Sequence, residues 1–302
     1  MNIKDFIESK NIGDIKCDEE LKKHTTYRVG GPCSYYITPS SINNLILLLK
    51  YLKDNNIKYK VLGNGSNVIV SSKKYEGAII NLNKLNNVRI EGENVYVEAG
   101  CPVIKLSNYC ANNYLGGFEF ASGIPAHIGG AIYMNAGAYK SDMSEVITEV
   151  TFIDENLNLI TLPKEKLNFS YRHSIFQEKK YVIVSAKIHL YKVKDVDEIF
   201  TLMNDRRQRR INTQPLEYPS AGSVFRNPSD TIFSGKLIED LGLKGYSVGG
   251  AKISEKHANF IVNYNNATAE DIVELINIIK TKVKEKYNID LKVEQEFVNF
   301  GE

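Results

Sequence analysis

The sequence predicts an α+β fold with more than one lobe, and three observations carry that prediction. Segments rich in β-branched and aromatic residues recur between Tyr59 and Leu190 without the regular strand–helix alternation of a doubly wound sheet. Low-bulk residues crowd into two tracts, residues 63–67 and 116–139, and the second is too apolar for a linker and too glycine-rich for ordinary core. The last third then carries its own glycine turn, strand and long capped helix, the pattern of a further α+β part. A chain of 302 residues with 43% hydrophobic and 25% charged residues has enough apolar material for two or three cores, so disorder is excluded.

In chain order, a short amphipathic start leads to residues 25–32, read as an extended segment broken by Gly30-Gly31-Pro32. Ser40 or Ser41 can cap a helix whose stripe is Ile42, Leu45, Ile46 and Leu49, ending near Asn55-Asn56. Strands are expected at 59–62, 68–70, 77–80 and 95–98, and a helix over 103–112. After the second glycine tract come strands at 146–153, 157–162 and 181–190, the first two joined by a turn at Asp154-Glu155-Asn156. A helix over 196–210 ends in Arg206, Arg207, Arg209 and Arg210, where cations offset the helix dipole and one or two could reach a phosphate. The last third gives a loop around Ser223, a short helix at 236–241, a strand within 249–263, a helix from Thr268 with stripe Ile272, Leu275, Ile276, Ile279 and Val283, and a final strand over 291–300.

Charge and cysteine usage narrow the function. Lys+Arg 38 against Asp+Glu 36 leaves a net charge of +2, which implies no overall attraction to nucleic acid. Carboxylates at Asp5 and Glu8 are unlike a signal peptide, and no stretch approaches about 18 uninterrupted apolar residues, so a cytoplasmic protein without a membrane segment is expected. Cys17, Cys33, Cys101 and Cys110 show no metal spacing, so buried reduced thiols and no metal site are expected.

Two stretches carry chemistry. Gly63-Asn64-Gly65-Ser66-Asn67 follows a strand, and glycines there let successive amides face an anion such as pyrophosphate, with Ser66 and Asn67 adding donors. It is neither a Walker loop nor a G-x-G-x-x-G fingerprint, and a tight turn alone would look the same. Pro215, Pro219 and Pro228 stiffen the loop that presents Ala221-Gly222-Ser223, where little bulk precedes a hydroxyl. A turn serine bonding its own backbone is the competing reading. His257 would partner Ser223 in a hydrolase, but no G-x-S-x-G elbow is present.

Six motifs in order, Thr25-Thr26-Tyr27-x-Val29-Gly30-Gly31, Gly63-x-Gly65-Ser66-Asn67, Gly123-Ile124-Pro125 through Gly129-Gly130-Ala131 to Met134-Asn135-Ala136-Gly137-Ala138-Tyr139, Tyr171-Arg172-x-Ser174, residues 215–228, and Lys256-His257-Ala258-Asn259-Phe260, resemble the UDP-N-acetylenolpyruvoylglucosamine reductases. The resemblance implies the vanillyl-alcohol-oxidase-type (PCMH-type) FAD-binding fold. Two FAD-binding lobes would cover residues 1–85 and 86–206, and an α+β substrate-binding domain residues 207–302, with a last strand that can return to the lobes. It also implies non-covalent FAD, NADPH as co-substrate, and a UDP-sugar enolpyruvyl ether as substrate, reduced to UDP-N-acetylmuramate for peptidoglycan. The family's arginine falls on Arg172, its proton-donating serine on Ser223 and its glutamate on Glu296, although Glu294 shares that strand face. Cofactor contacts fall on Gly63, Asn64, Gly65, Ser66, Asn67, Gly129, Gly130, Asn135, Gly137 and Ala138, and substrate contacts on Tyr171, Arg210, Asn227 and Lys256. Ala126-His127 replaces the glycine and small residue common after Ile-Pro, Arg226 stands where lysine is common, and the interval 228–249 is too short for the family's extra tyrosine loop. A related flavin oxidase, or a non-catalytic flavin or nucleotide-binding protein on the same fold, is the alternative.

Overall fold

Apolar periodicity sets the helices of the computed structural model, which describes residues 2–301. They are α1 (Ile3–Ser9), α2 (Ile42–Asp54), α3 (Val103–Asn112), α4 (Ile128–Tyr133), α5 (Met143–Val146), α6 (Val196–Thr213), α7 (Ser234–Asp240) and α8 (Ala269–Tyr287). Helix α2 begins where Ser41 accepts a hydrogen bond from the Asn44 amide at 3.1 Å, and it buries Leu45, Leu48, Leu49 and Leu52. Helix α8 opens on a reciprocal capping box between Thr268 and Asp271 and closes at Asn288, in the left-handed region.

The chain divides into two compact units, one of residues 1–17, 35–64 and 77–208, the other of residues 18–34, 65–76 and 209–302. The first unit holds a five-stranded antiparallel sheet in the order Leu159–Pro163, Ile147–Ile153, Val182–His189, Asn94–Glu98, Val88–Glu91. Strand Tyr59–Val61 pairs in parallel with Tyr75–Ile80 through residues 78–80. One continuous core runs from Ile3 to Leu190 and includes Leu48, Ile80, Val97, Leu106, Phe152 and Ile188. The second unit has its own core of Tyr27, Ile69, Phe225, Ile238, Ile261, Leu275 and Ile279, among others. Its antiparallel sheet is Ser247–Val248, Ala251–Ile253, Ile261–Asn263, and a parallel pair joins Val68–Val70 to Glu296–Val298.

Four local expectations change. Residues 25–28 form a turn rather than a strand: the Arg28 amide donates to Thr25 O at 3.1 Å, Arg28 has φ 56°, and the strand starts only at Pro32. Helix α6 runs on to Thr213, so of the four arginines only Arg210 lies in the last turn. The final strand shrinks from residues 291–300 to Glu296–Val298, because residues before it pair through a single bridge, Phe225 with Val293. The second glycine tract contains α4, which bulk-based reading passes over because two of its six residues are glycine.

Candidate active site

The first unit assembles one half of the candidate residues around the N-terminus of α4. Asn64 donates from Nδ2 to Pro125 O at 2.6 Å, which ties the loop after Tyr59–Val61 to the loop before α4. A Cβ on Gly63 would lie 3.7 Å from the His127 Cβ, so these two loops are in contact range. Gly129 packs tightly, since an added Cβ would come within 3.0 Å of the Ala99 Cβ, whereas one on Gly130 would meet nothing within 4 Å. His127 caps α4 with its backbone only; its Nδ1 is buried without a hydrogen-bond partner, and burial lowers its pKa below the ordinary histidine value.

The tract beyond α4 is held by side-chain amides and by the turn that carries Arg172. Asn135 is 1% exposed at φ 42°, donating to Ser170 O and accepting from the Ser144 amide, both at 2.9 Å. Both ends of its side chain are therefore spent inside the protein, and what it offers a ligand is a fixed backbone. Gly137-Ala138 pairs with Ser141-Asp142 across a hairpin turn in which Tyr139 and Lys140 both have positive φ. Arg172 donates from Nη2 to Gly137 O at 3.0 Å, and its guanidinium lies 5.0 Å from the ring centre of exposed Tyr171. It sits at φ 56° in a turn closed by Ser170 and His173, a conformation that a non-glycine residue keeps only when its surroundings fix it. Gln177 provides that fixing by donating to the carbonyls of both Arg172 and Tyr133, and buried Ser174 donates to Tyr133 O at 2.7 Å.

The second unit carries the remaining candidate residues. Gly65 has φ +62°, and a Cβ there would lie 2.2 Å from His24 O, so the glycine answers to the protein's own backbone, not to ligand clearance. Half-buried Ser66 follows in the same turn. Asn67 donates from Nδ2 to Glu294 O at 3.2 Å and accepts at its carbonyl from the Glu296 amide at 2.9 Å, which fixes the chain on both sides of Gln295. Ser223 is half-buried at the end of a turn in which Gly222 has φ +75°. Asn259 grips the chain two residues on, accepting from the Phe225 amide at 3.0 Å and donating to Phe225 O at 2.9 Å. Gln295 grips the turn itself, with Nε2 3.1, 3.3 and 3.4 Å from the carbonyls of Ala221, Gly222 and Ser223. The Ser223 hydroxyl makes no hydrogen bond among the described residues.

Two expected substrate contacts have internal partners. The Lys256 ammonium donates to Ile211 O at 2.6 Å, capping the end of α6, and lies 3.9 Å from Glu217. Asn227 accepts from the Ser234 amide at the start of α7. Arg210 is half-buried in the last turn of α6, and Glu296 is half-buried in the final strand. His257 accepts at Nδ1 from the Asn259 amide, which leaves it no free base nitrogen on that side, and burial lowers its pKa. Sequence reading missed Gln295 and Gln177, because a buried amide that bonds backbone leaves no periodicity or motif, and it quoted Tyr27 in a motif without a role for its hydroxyl, which donates to Gln295 Oε1 at 3.1 Å. The four cysteines are free, but only three are buried as expected: Cys17 is exposed on strand Gly13–Glu20, whereas burial raises Cys33 and Cys101 to about 11 and Cys110 to about 12, so these three are poor nucleophiles. No metal-binding cluster occurs and no helix is long and apolar enough to cross a membrane, among the described residues.

Comparison with known proteins places this arrangement. Residues 33–162 match the family described as FAD binding domain, and residues 214–298 match UDP-N-acetylenolpyruvoylglucosamine reductase, C-terminal domain. A curated UDP-N-acetylenolpyruvoylglucosamine reductase from Caldanaerobacter subterraneus subsp. tengcongensis is 46% identical over 286 residues, 95% of this chain and 94% of that protein. One from Clostridium novyi is 45% identical over 285 residues, 94% of this chain and 92% of that protein. The crystal structure of UDP-N-acetylenolpyruvylglucosamine reductase from Thermus caldophilus matches with TM-score 0.80 at 31% identity, covering 95% and 98% of the two chains. Berberine bridge enzyme from Eschscholzia californica shares the fold alone, at TM-score 0.50, 16% identity, and 64% of this chain against 43% of that one.

The fold and the matched domains thus define an FAD-binding oxidoreductase of the PCMH type. The chain belongs to the UDP-N-acetylenolpyruvoylglucosamine reductase family. The residues present fit FAD in two respects: a buried imidazole nitrogen lacks a protein partner beside Gly63, and the exposed face of α4 at Gly130 offers backbone without side-chain bulk.

Proposed function

We propose that this enzyme uses NADPH and FAD to reduce the enolpyruvyl group of UDP-N-acetylglucosamine enolpyruvate, giving UDP-N-acetylmuramate in cytoplasmic peptidoglycan precursor synthesis. Membership of the family over about the whole chain supports the reaction. The observation that carries the assignment of residues is Ser223, whose hydroxyl is left without a protein partner in a turn clamped by Asn259 and Gln295. FAD, when bound, supplies hydride. The amides of residues 63–67 and the low-bulk backbone at 129–130 and 137–138 would hold it. We also propose that residues 1–85 and 86–206 serve FAD and residues 207–302 the substrate, with Tyr171, Arg210, Asn227 and Lys256 as the substrate's further contacts.

Each proposed role follows from charge balance. Hydride addition to the β-carbon of the enolpyruvyl ether moves the π pair onto the α-carbon and its carboxylate. Arg172, a permanent planar cation already held by Gly137 O, is suited to neutralise that charge. Ser223 Oγ then gives its proton to the α-carbon and is reprotonated from solvent, with Glu296 orienting the donor. Ser223→Ala should leave NADPH-driven bleaching of the flavin near the parent rate and slow flavin reoxidation by the enolpyruvyl substrate about 10²–10⁴-fold. Stopped-flow measurement of both half-reactions checks this; reoxidation at the parent rate would remove Ser223 as the donor.

A further inference from the structure

We propose that Gln177 is a positioning residue for Arg172: its side-chain nitrogen pins the peptide unit that follows the arginine, and Asn135 holds the same turn from its other end. The proposal rests on the reading of Arg172 as the cation that neutralises the substrate's developing charge.

Arg172 stands where glycine would suit the backbone better. It is the second of two central residues in a turn closed by reciprocal bonds, from the Ser170 amide to His173 O at 3.1 Å and from the His173 amide to Ser170 O at 3.0 Å. Its φ of 56° is unfavourable for a residue with a Cβ, and turns with positive φ at that position take glycine or asparagine. Such an outlier persists only where neighbouring groups hold it, and it concentrates at functional sites.

The peptide unit between Arg172 and His173 is held at both ends. Its N–H reaches Ser170 O, and its C=O accepts from Gln177 Nε2 at 3.1 Å. Ser170 O also accepts from Asn135 Nδ2 at 2.9 Å, so a second side-chain amide fixes the partner of that N–H. With this unit fixed, the Cα–C bond of Arg172 has a set direction. The side chain then departs from a set place toward Gly137 O, where Nη2 donates at 3.0 Å.

Gln177 is itself anchored. It ends a single 3-10 turn, Ile175–Gln177, pinned by Phe176, which is 2% exposed and lies edge-on to Phe152 with ring centres 5.4 Å apart. Its Nε2 also donates to Tyr133 O at 2.9 Å, the carbonyl that accepts from Ser174 Oγ at 2.7 Å. Both N–H groups of the amide thus have carbonyls to bond, while Oε1 makes no hydrogen bond among the described residues. The position calls for a donor and not for an acceptor. Lysine, which only donates, meets that need; methionine and ionised glutamate, of similar length, do not.

The test uses the holoenzyme and stopped-flow measurement of both half-reactions. In Gln177→Met, flavin bleaching by NADPH should stay near the parent rate, and reoxidation by saturating enolpyruvyl substrate should slow about 10- to 100-fold, the scale of a misplaced catalytic group. Gln177→Lys should recover most of that rate. Arg172→Ala should itself slow reoxidation about 10²–10³-fold, and adding Gln177→Met to it should cost about twofold at most, because the group being positioned is gone. If Gln177→Met fails to fold, Gln177→Glu takes its place in the cycle. Parent-rate reoxidation in the folded variant, equal losses in Gln177→Met and Gln177→Lys, or losses that multiply with Arg172→Ala would each overturn the proposal. Parent-rate reoxidation in Arg172→Ala would sink the arginine's role and its positioning together, whereas a slow Arg172→Ala beside a parent-rate Gln177→Met would sink the positioning alone.

Discussion

Replacing Gly130 by alanine tests the flavin assignment with little disturbance of the protein itself. Gly130 is exposed, lies inside α4 with ordinary backbone angles, and has no atom within 4 Å of where a Cβ would stand. Alanine in place of glycine in a helix is favourable by about 1 kcal/mol, so the flavin-free chain should melt no lower than the parent. If the cofactor lies against this face, the same methyl enters occupied space. Overpacking of one methyl costs about 1–3 kcal/mol, which corresponds to roughly 5- to 150-fold weaker FAD binding. Titration of FAD into the flavin-stripped chain, followed by flavin fluorescence, measures this directly, and a melting curve of the same sample controls for folding. An alanine variant with parent affinity for FAD would place the cofactor elsewhere and refute the reasoning.

Gly65→Val should act in the opposite way, by lowering soluble yield and melting temperature before any flavin effect is seen, since its Cβ would meet His24 O at 2.2 Å and φ is +62°; a variant with parent Tm would refute that turn. The histidines set a pH dependence. Burial lowers the pKa of His127 and of His257 below the ordinary histidine value of about 6.5, so protonation favours the unfolded chain: their contribution is complete above that pH and is lost as pH falls through the depressed folded values. Denaturant midpoints should therefore decline below about pH 6.5, less steeply in His127→Asn than in the parent; identical slopes would contradict the assignment.

Periodic features were legible in the sequence and bonded loops were not. The stripe of α8, its capping box and the bounds of α3 follow from residue spacing, because each is a local consequence of 3.6-residue geometry. Strand Gly13–Glu20 escaped, since its residues Asp14, Lys16, Asp18, Glu19 and Glu20 give no apolar alternation. The motif residues at the site were legible as types, but their partners were not. Gly65 illustrates the difference: a glycine next to a phosphate-binding loop and a glycine forced by His24 O read alike in one dimension.

The missing information is concentrated in three side-chain amides of the second unit. Residues 221–225 and 292–295 run alongside each other with only one bridge between them, so most of their backbone groups have no ladder to join. Buried peptide groups must still be paired, and Asn67, Asn259 and Gln295 do it, each donating to a carbonyl of these segments or of their immediate neighbours. A regular strand paired with the same neighbour would have satisfied only alternate groups, and it would have consumed one of the amides of Gly222 and Ser223. A neutral amide, donor at one end and acceptor at the other, holds the turn from one side only and adds no net charge. The irregular backbone around Ser223 is thus what leaves two peptide donors and one hydroxyl unspent.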